Sequence, residues 1–545
     1  MRAENRSGAS LRTGSRLTVT TDLDPPLLLL LLGALVGLGV AYDPALSRSL
    51  FAALLLSLLL YSLLARLPPS KGRAVAWGVL VVQGLAAWYF ISQYAYLGYP
   101  AKIGIIHRLG QVTGRLAPNL VFFWPHPNAM ATFLEGGIPL AVALALSSRR
   151  PLERVGAVLV GASLGYALLL TASRGAWVAL VVTAFLAAAL WARRRLPARV
   201  GLPLALAVLG LALAGLVVLF LLGPDRVPGL RSVLARAASR FTLYANSLHL
   251  LRDYPLTGIG LGETFPLVYS YDVLLLQVPF LNYAHNLFLA VWLNHGLLGL
   301  LGLLWLLVAF LSLLGRGIRE GASPIFWGAS LGVVVLLLHG LTDAPQYVDG
   351  GWVMPPLYAL LGLAVAAGPR RPTTAKAGRR RLQMVLPGVL VLPLVILTWP
   401  LLRATYELNR GAVQEIRADL APDLTEDERE GLRAAAADHY RAALGAWPEQ
   451  TMAHRRLGLL ALEAGEFEAA VVHLERAWRG DPTHPANRKG LGYAYLWAGR
   501  LDEAEPLLRT VPQVRQELET WAWWRAKQGQ PRLADYARQM ADRLR

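Results

Sequence analysis

Apolar runs of 18 or more residues recur along this chain, and each can cross ~30 Å of hydrocarbon as a helix. Eleven spans are read, near 26–42, 48–65, 74–97, 128–147, 155–171, 175–191, 201–222, 286–314, 323–341, 352–368 and 383–402. With 55% hydrophobic residues over 545 positions, the chain is too apolar for one soluble globule and long enough for a membrane domain plus a second domain. The first span follows a basic stretch without a small-residue cleavage site, so it reads as a retained helix and not a signal peptide.

The formal net charge is +18, almost all from arginine, since Lys71, Lys102, Lys376, Lys489 and Lys527 are the lysines. Nucleic-acid binding does not explain it, because the basic residues fall at the N-terminus and in alternate loops. They are Arg2/Arg6/Arg12/Arg16, Arg66/Lys71/Arg73, Arg149/Arg150/Arg154, Arg193/Arg194/Arg195/Arg199, Arg316/Arg319 and Arg370/Arg371/Lys376/Arg379/Arg380/Arg381. This is the positive-inside pattern, and it fits all eleven spans. It predicts a cytoplasmic basic tail over 1–25, a transmembrane domain over 26–402 and an external C-terminal domain over 403–545. The loops expected outside are 43–47, 98–127, 172–174, 223–285 and 342–351. Zero cysteine excludes disulfides, thiolate catalysis and thiolate zinc sites.

From about 403 the composition changes to Ala, Leu, Arg and Glu, and a 34-residue period appears. Leu457-Gly458 recurs as Leu491-Gly492, Gly465 as Gly499, Ala470 as Ala504 and Leu474 as Leu508. Small residues let paired helices approach closely, and proline stops the second helix of a pair. The pattern resembles the tetratricopeptide repeat. Such a domain either binds an extended protein partner in its concave face or serves as a spacer. The fold class is therefore all-α, a polytopic helical bundle followed by an α-helical repeat.

The predicted topology gathers polar residues from five distant segments at the outer face. "HPNAMA" supplies His126 and Asn128, and "TASRGAW" supplies Thr171, Ser173 and Arg174. "SRFTLYANSL" supplies Arg240, with Arg231 and Arg236 before it; "NYAHNLFL" supplies His285 and Asn286; "HGLTDAPQYVDG" supplies His339, Asp343 and Asp349. Arg174 interrupts an otherwise apolar stretch at a sharp reversal expected to need Gly175. An arginine at membrane depth costs ~2.5–3.5 kcal/mol or more, which favours an anionic partner, although snorkelling to lipid headgroups is the alternative. His285 alone would equally serve as a helix cap. Two arginines and a histidine on one face make a site.

"TASRGAW", "SRFTLYANSLHLLRDYPLTGIGLGETF" and "YAHNLFLAVWLNHGLLGL", in this order, resemble the O-antigen ligase and O-antigen polymerase superfamily over roughly residues 30–365. Asn294-His295-Gly296 departs from the pattern, where relatives often carry an acidic residue before the glycine. The resemblance implies a GT-C-like membrane glycosyltransferase that takes a glycan from undecaprenyl diphosphate at the outer face of the cytoplasmic membrane. It maps the catalytic histidine to His285 and the diphosphate-binding arginines to Arg174 and Arg240. The residues agree chemically: arginine binds phosphate with two prongs, and histidine is suited to removing a hydroxyl proton near neutral pH. Ser173, Asn286, Asn128 and Asp343 are expected in support, with Asn286 orienting the ring or the acceptor. No cofactor or metal is expected. The acceptor implied is lipid A-core, a growing glycan or a protein hydroxyl.

Two motifs mislead. "DLD" (Asp22 to Asp24) has the look of a metal-binding DxD but lies on the cytoplasmic side. "GIGLG" (Gly258 to Gly262) has no βαβ unit around it and reads as an external turn. Asp343 and Asp349 with His339 form a rival metal-site reading. A transporter would show internal repeats across its spans, which are absent here. A non-catalytic scaffold of an export complex would tolerate changes at His285.

Overall fold

The computed structural model describes residues 20–195, 230–262, 264–274, 281–369 and 398–545. Among these the chain is helical and contains no strand. The membrane part comprises α1 (Asp24–Val40), α2 (Pro44–Ala65), α3 (Gly72–Gln93), α4 (Gly104–Gly114), α5 (Pro127–Glu135), α6 (Gly137–Ser147), α7 (Pro151–Thr171) and α8 (Arg174–Arg195). It continues with α9 (Leu230–Asp253), α10 (Phe265–Asp272), α11 (Leu287–Glu320), α12 (Pro324–His339) and α13 (Pro355–Ala367).

Among the described residues six stretches are long and apolar enough to cross a membrane: Pro44–Ala65, Pro69–Tyr96, Pro127–Ser147, Pro151–Thr171, Leu287–Glu320 and Asp349–Ala367. Asp24–Val40, Arg174–Leu190 and Pro324–His339 are shorter apolar helices. Nine of the eleven expected spans thus correspond to helices. The expected span at 201–222 lies outside the described residues, as does most of that at 383–402. Large apolar side chains such as Leu56, Leu63, Leu85, Leu146 and Leu311 stand exposed on the bundle. Lipid-facing helix surfaces present this character, since hydrocarbon solvates leucine as well as a core does.

The basic loops gather at one end. Arg66 pairs with Asp24 (3.0 Å), Arg73 with Glu153 (2.8 Å) and Arg316 with Asp22 (2.8 Å). The two carboxylates of "DLD" therefore bind arginine and fasten the start of α1 to the ends of α2 and α11.

Helix α11 is two helices in line. Gly296 has φ 62° and ψ −163°, and the backbone of 256–257 passes so close that a Cβ there would lie 2.2 Å from the Leu256 carbonyl oxygen. Only glycine adopts this conformation without cost. The part after the break, 297–320, still suffices to cross the bilayer at ~1.5 Å per residue. The "GIGLG" turn fills the break. Leu297 donates to the Leu256 carbonyl (2.9 Å), Ile259 to that of Leu293 (2.8 Å), and Leu261 to that of Gly37 (3.1 Å). The residues of Asn294-His295-Gly296 are buried and structural: Asn294 receives the Gly262 amide at 2.6 Å, and His295 Nδ1 lies 3.1 Å from the Leu30 carbonyl oxygen.

The C-terminal part stacks helix pairs: α14 (Trp399–Leu420) with α15 (Glu426–Ala446), α16 (Thr451–Glu463) with α17 (Phe467–Gly480), α18 (Pro485–Trp497) with α19 (Leu501–Leu508), and α20 (Val514–Lys527) with α21 (Pro531–Arg543). The residues that set the period are buried where small size matters, with Ala436, Ala470 and Ala504 fully enclosed. This stack does not stand apart. Ala412, Val413 and Ile416 share one apolar core with Leu250, Tyr254, Ile259 and Phe265 of the long loop.

Candidate active site

At the end of the bundle opposite the basic loops, four segments meet on the short stretch from His339 to Asp343. From α5, Asn128 Nδ2 donates to Asp343 Oδ2 (2.6 Å), and Glu135 accepts from His339 Nδ1 at 2.9 Å. From the α7–α8 turn, Ser173 Oγ lies 3.4 Å from His339 Nε2. From α9, Arg240 donates to the Thr342 carbonyl, and Tyr244 lies 3.4 Å from that of Leu341. From the start of α11, His285 Nδ1 lies 3.0 Å from Asp343 Oδ1, Asn286 donates to Leu341 (3.1 Å) and Leu287 to Gly340 (2.6 Å).

His285 sits just outside α11 because Asn286 is that helix's cap. Asn286 Oδ1 accepts from the amides of Phe288 (3.0 Å) and Leu289 (3.1 Å), satisfying two of the four orphan donors of a helix start. The side chain expected to orient the ring or the acceptor is thus engaged by backbone. Asp343 holds the ring instead. The backbone of His285 takes φ 49°, a left-handed conformation that costs a non-glycine residue about 1–3 kcal/mol. Tyr244 fastens it by donating to the His285 carbonyl at 2.8 Å.

Asp343 is buried. Burial alone would raise its carboxyl pKa, but hydrogen bonding from His285 and the charges of His285 and His339 outweigh it, holding the group below the ordinary carboxylate range. The adjacent Ala344 amide donates as well, at 3.0 Å. An ionised acceptor at Nδ1 places the imidazole proton there and leaves Nε2 free to take another. Tyr283 packs against the ring with centroids 4.2 Å apart, and burial followed by the Asp343 charge pushes its hydroxyl pKa up.

The ring lines a cavity of about 430 Å³ with Tyr99, Lys102, Trp124, His126 and Asp349. Arg174 is exposed at the first turn of α8 and has no side-chain partner among the described residues. The reversal before it is made by Ala172 in the left-handed conformation (φ 51°), and not by Gly175. Gly175 serves close packing: a Cβ there would lie 2.6 Å from Thr342 Oγ1 and 2.9 Å from His339 Cδ2. The side chains of Arg231 and Arg236 lie outside the described ones.

Four residues of this region were not singled out by sequence. Glu135 was legible as a carboxylate inside an apolar span, which is rare without a partner. Lys102 is the lysine of an expected external loop. Tyr244 and Tyr283 carry no such signal. Asp343 directs its oxygens to Asn128, His285 and a backbone amide, and no group of three or more His, Asp or Glu with metal-holding spacing occurs among the described residues.

Residues 157–304 match a family model described as O-antigen ligase, and residues 461–527 match one described as tetratricopeptide repeat. The first match runs from α7 into α11 and includes Arg174, Arg240 and His285. The membrane part is therefore similar to the O-antigen ligase-like membrane glycosyltransferases, and the resemblance read from the sequence motifs holds for both parts. No curated protein matches the chain.

Proposed function

We propose that this multi-pass membrane protein transfers a glycan from undecaprenyl diphosphate to an acceptor hydroxyl at the outer face of the cytoplasmic membrane. The observation that carries the reading is the His285–Asp343 pair at a cavity wall, with an arginine-bearing helix fastened to the same five-residue stretch.

In this mechanism Asp343 keeps the proton on Nδ1, and Nε2 removes the proton of the acceptor hydroxyl. The acceptor oxygen forms its bond to the anomeric carbon as the bond from that carbon to the diphosphate oxygen breaks. The electron pair leaves on the diphosphate, whose charge Arg174 and Arg240 bind. Attack from the face opposite the leaving group inverts the anomeric configuration. No metal is required, because the guanidinium groups neutralise the leaving group. The alternating basic loops support a cytoplasmic N-terminus and a site on the outer side.

Deleting the gene tests the reading. The cells should lose the glycan from one glycoconjugate and accumulate it on the lipid carrier. Long accumulated chains identify a ligase or protein O-oligosaccharyltransferase, and single repeat units a polymerase. A full complement of glycoconjugates with no accumulated donor would contradict it.

A further inference from the structure

The face formed by the first helices of the repeat pairs, which such solenoids curve into a binding concavity, is occupied by the chain's own long loop. Arg455 and Arg456 of α16 are each only 1% exposed. Both donate to Asp253, the last residue of α9, with Arg456 Nε at 2.8 Å. Both also approach Asp272, the last residue of α10, at 3.5 and 3.3 Å. Glu415 of α14 completes the cluster, 3.5 Å from Arg456 and 2.9 Å from the Tyr271 hydroxyl. Lys489 of α18 donates to the Leu274 carbonyl at 2.6 Å, and Asn409 of α14 receives the Leu256 amide at 3.0 Å. Three successive first helices therefore grip one segment, 253–274.

We propose that the repeat domain acts in cis as a clasp, with Arg455 and Arg456 as positioning residues that fix the helix carrying Arg240 over the site. Thirteen residues separate Arg240 from Asp253, about 20 Å of helix. A tilt of about 10° at the gripped end moves Arg240 by about 3 Å, enough to take its two-pronged guanidinium out of hydrogen-bond reach of a bound diphosphate and weaken donor binding. The activity consequence rests on the glycosyl-transfer reading; the clasp does not.

The test uses the full chain in lipid nanodiscs. Arg455→Met with Arg456→Met leaves Asp253, Asp272 and Glu415 buried without an arginine counter-charge, and adding Asp253→Asn, Asp272→Asn and Glu415→Gln removes that charge. In the double variant, amide hydrogen exchange over 240–262 should accelerate tenfold or more while that over 44–65 is unchanged. The apparent KM for an undecaprenyl diphosphate-linked glycan should rise about tenfold or more, with kcat within about threefold. The quintuple variant should restore both. Unchanged exchange over 240–262, or equal acceleration across the membrane helices, would overturn the clasp. If exchange responds as expected while the wild type transfers no glycan, the clasp stands and the glycosyl-transfer reading falls.

Discussion

Asp343 is the residue on which the chemistry of His285 turns. Its carboxylate fixes which ring nitrogen carries the proton, and an amide in its place leaves either tautomer favoured. Asp343→Asn should lower saturated turnover ~10²-fold or more, the range of general-base assistance, with donor affinity retained. Because the carboxyl is held below its ordinary range, the sign of its pH effect is set. Its contribution to stability is complete above the unfolded pKa of ~3.9 and disappears only as pH falls through the lower folded value. Acid unfolding below about pH 4 should show this loss in the wild type, and Asp343→Asn should lack it. Arg174→Lys keeps the charge and loses the fork, so donor affinity should fall while the melting temperature stays put. A drop in melting temperature would assign Arg174 a structural role. The sequence named these residues because rare polar groups in apolar surroundings are conspicuous. It did not reveal that Asp343 holds the ring, since that depends on a contact between residues 58 positions apart, whereas the Asn286 cap is a local contact with Phe288 and Leu289 that an asparagine before an apolar run could have signalled.

At the scale of helices, hydropathy located most elements and misjudged two joints. The run 286–314 reads as one span, yet Gly296 divides it, because the "GIGLG" turn enters from the loop and takes over its hydrogen bonds. A single glycine in an apolar run gives no warning of that. Gly296→Ala should cost about 1–3 kcal/mol for the backbone conformation, with more from the clash against 256–257, and thermal unfolding of the purified variant checks it. A melting temperature equal to wild type would show that the break is not needed. The tight turn before Arg174 was correctly expected, and its left-handed residue was assigned to Gly175 where the chain uses Ala172.

Across the whole molecule, the repeat period and the alternating basic loops were both visible in sequence, while the contact between the two parts was not. Charge pairs such as Arg456 with Asp253 span 203 positions and follow no local pattern. That contact puts the repeat stack on the same side of the bundle as His285, which sharpens the topology expected from charge alone. Reporter fusions after 70, 150 and 318 should read cytoplasmic, and fusions near 110, 250 and 450 external; opposite readings at 250 and 450 would break the described packing. The most direct measurement is made on purified protein in a bilayer, with a glycan on undecaprenyl diphosphate and chelator present. The wild type should transfer the glycan, and His285→Ala should do so ~10²-fold more slowly or worse at saturation, with donor affinity nearly unchanged. Turnover of His285→Ala within a few-fold of the wild type would contradict the account.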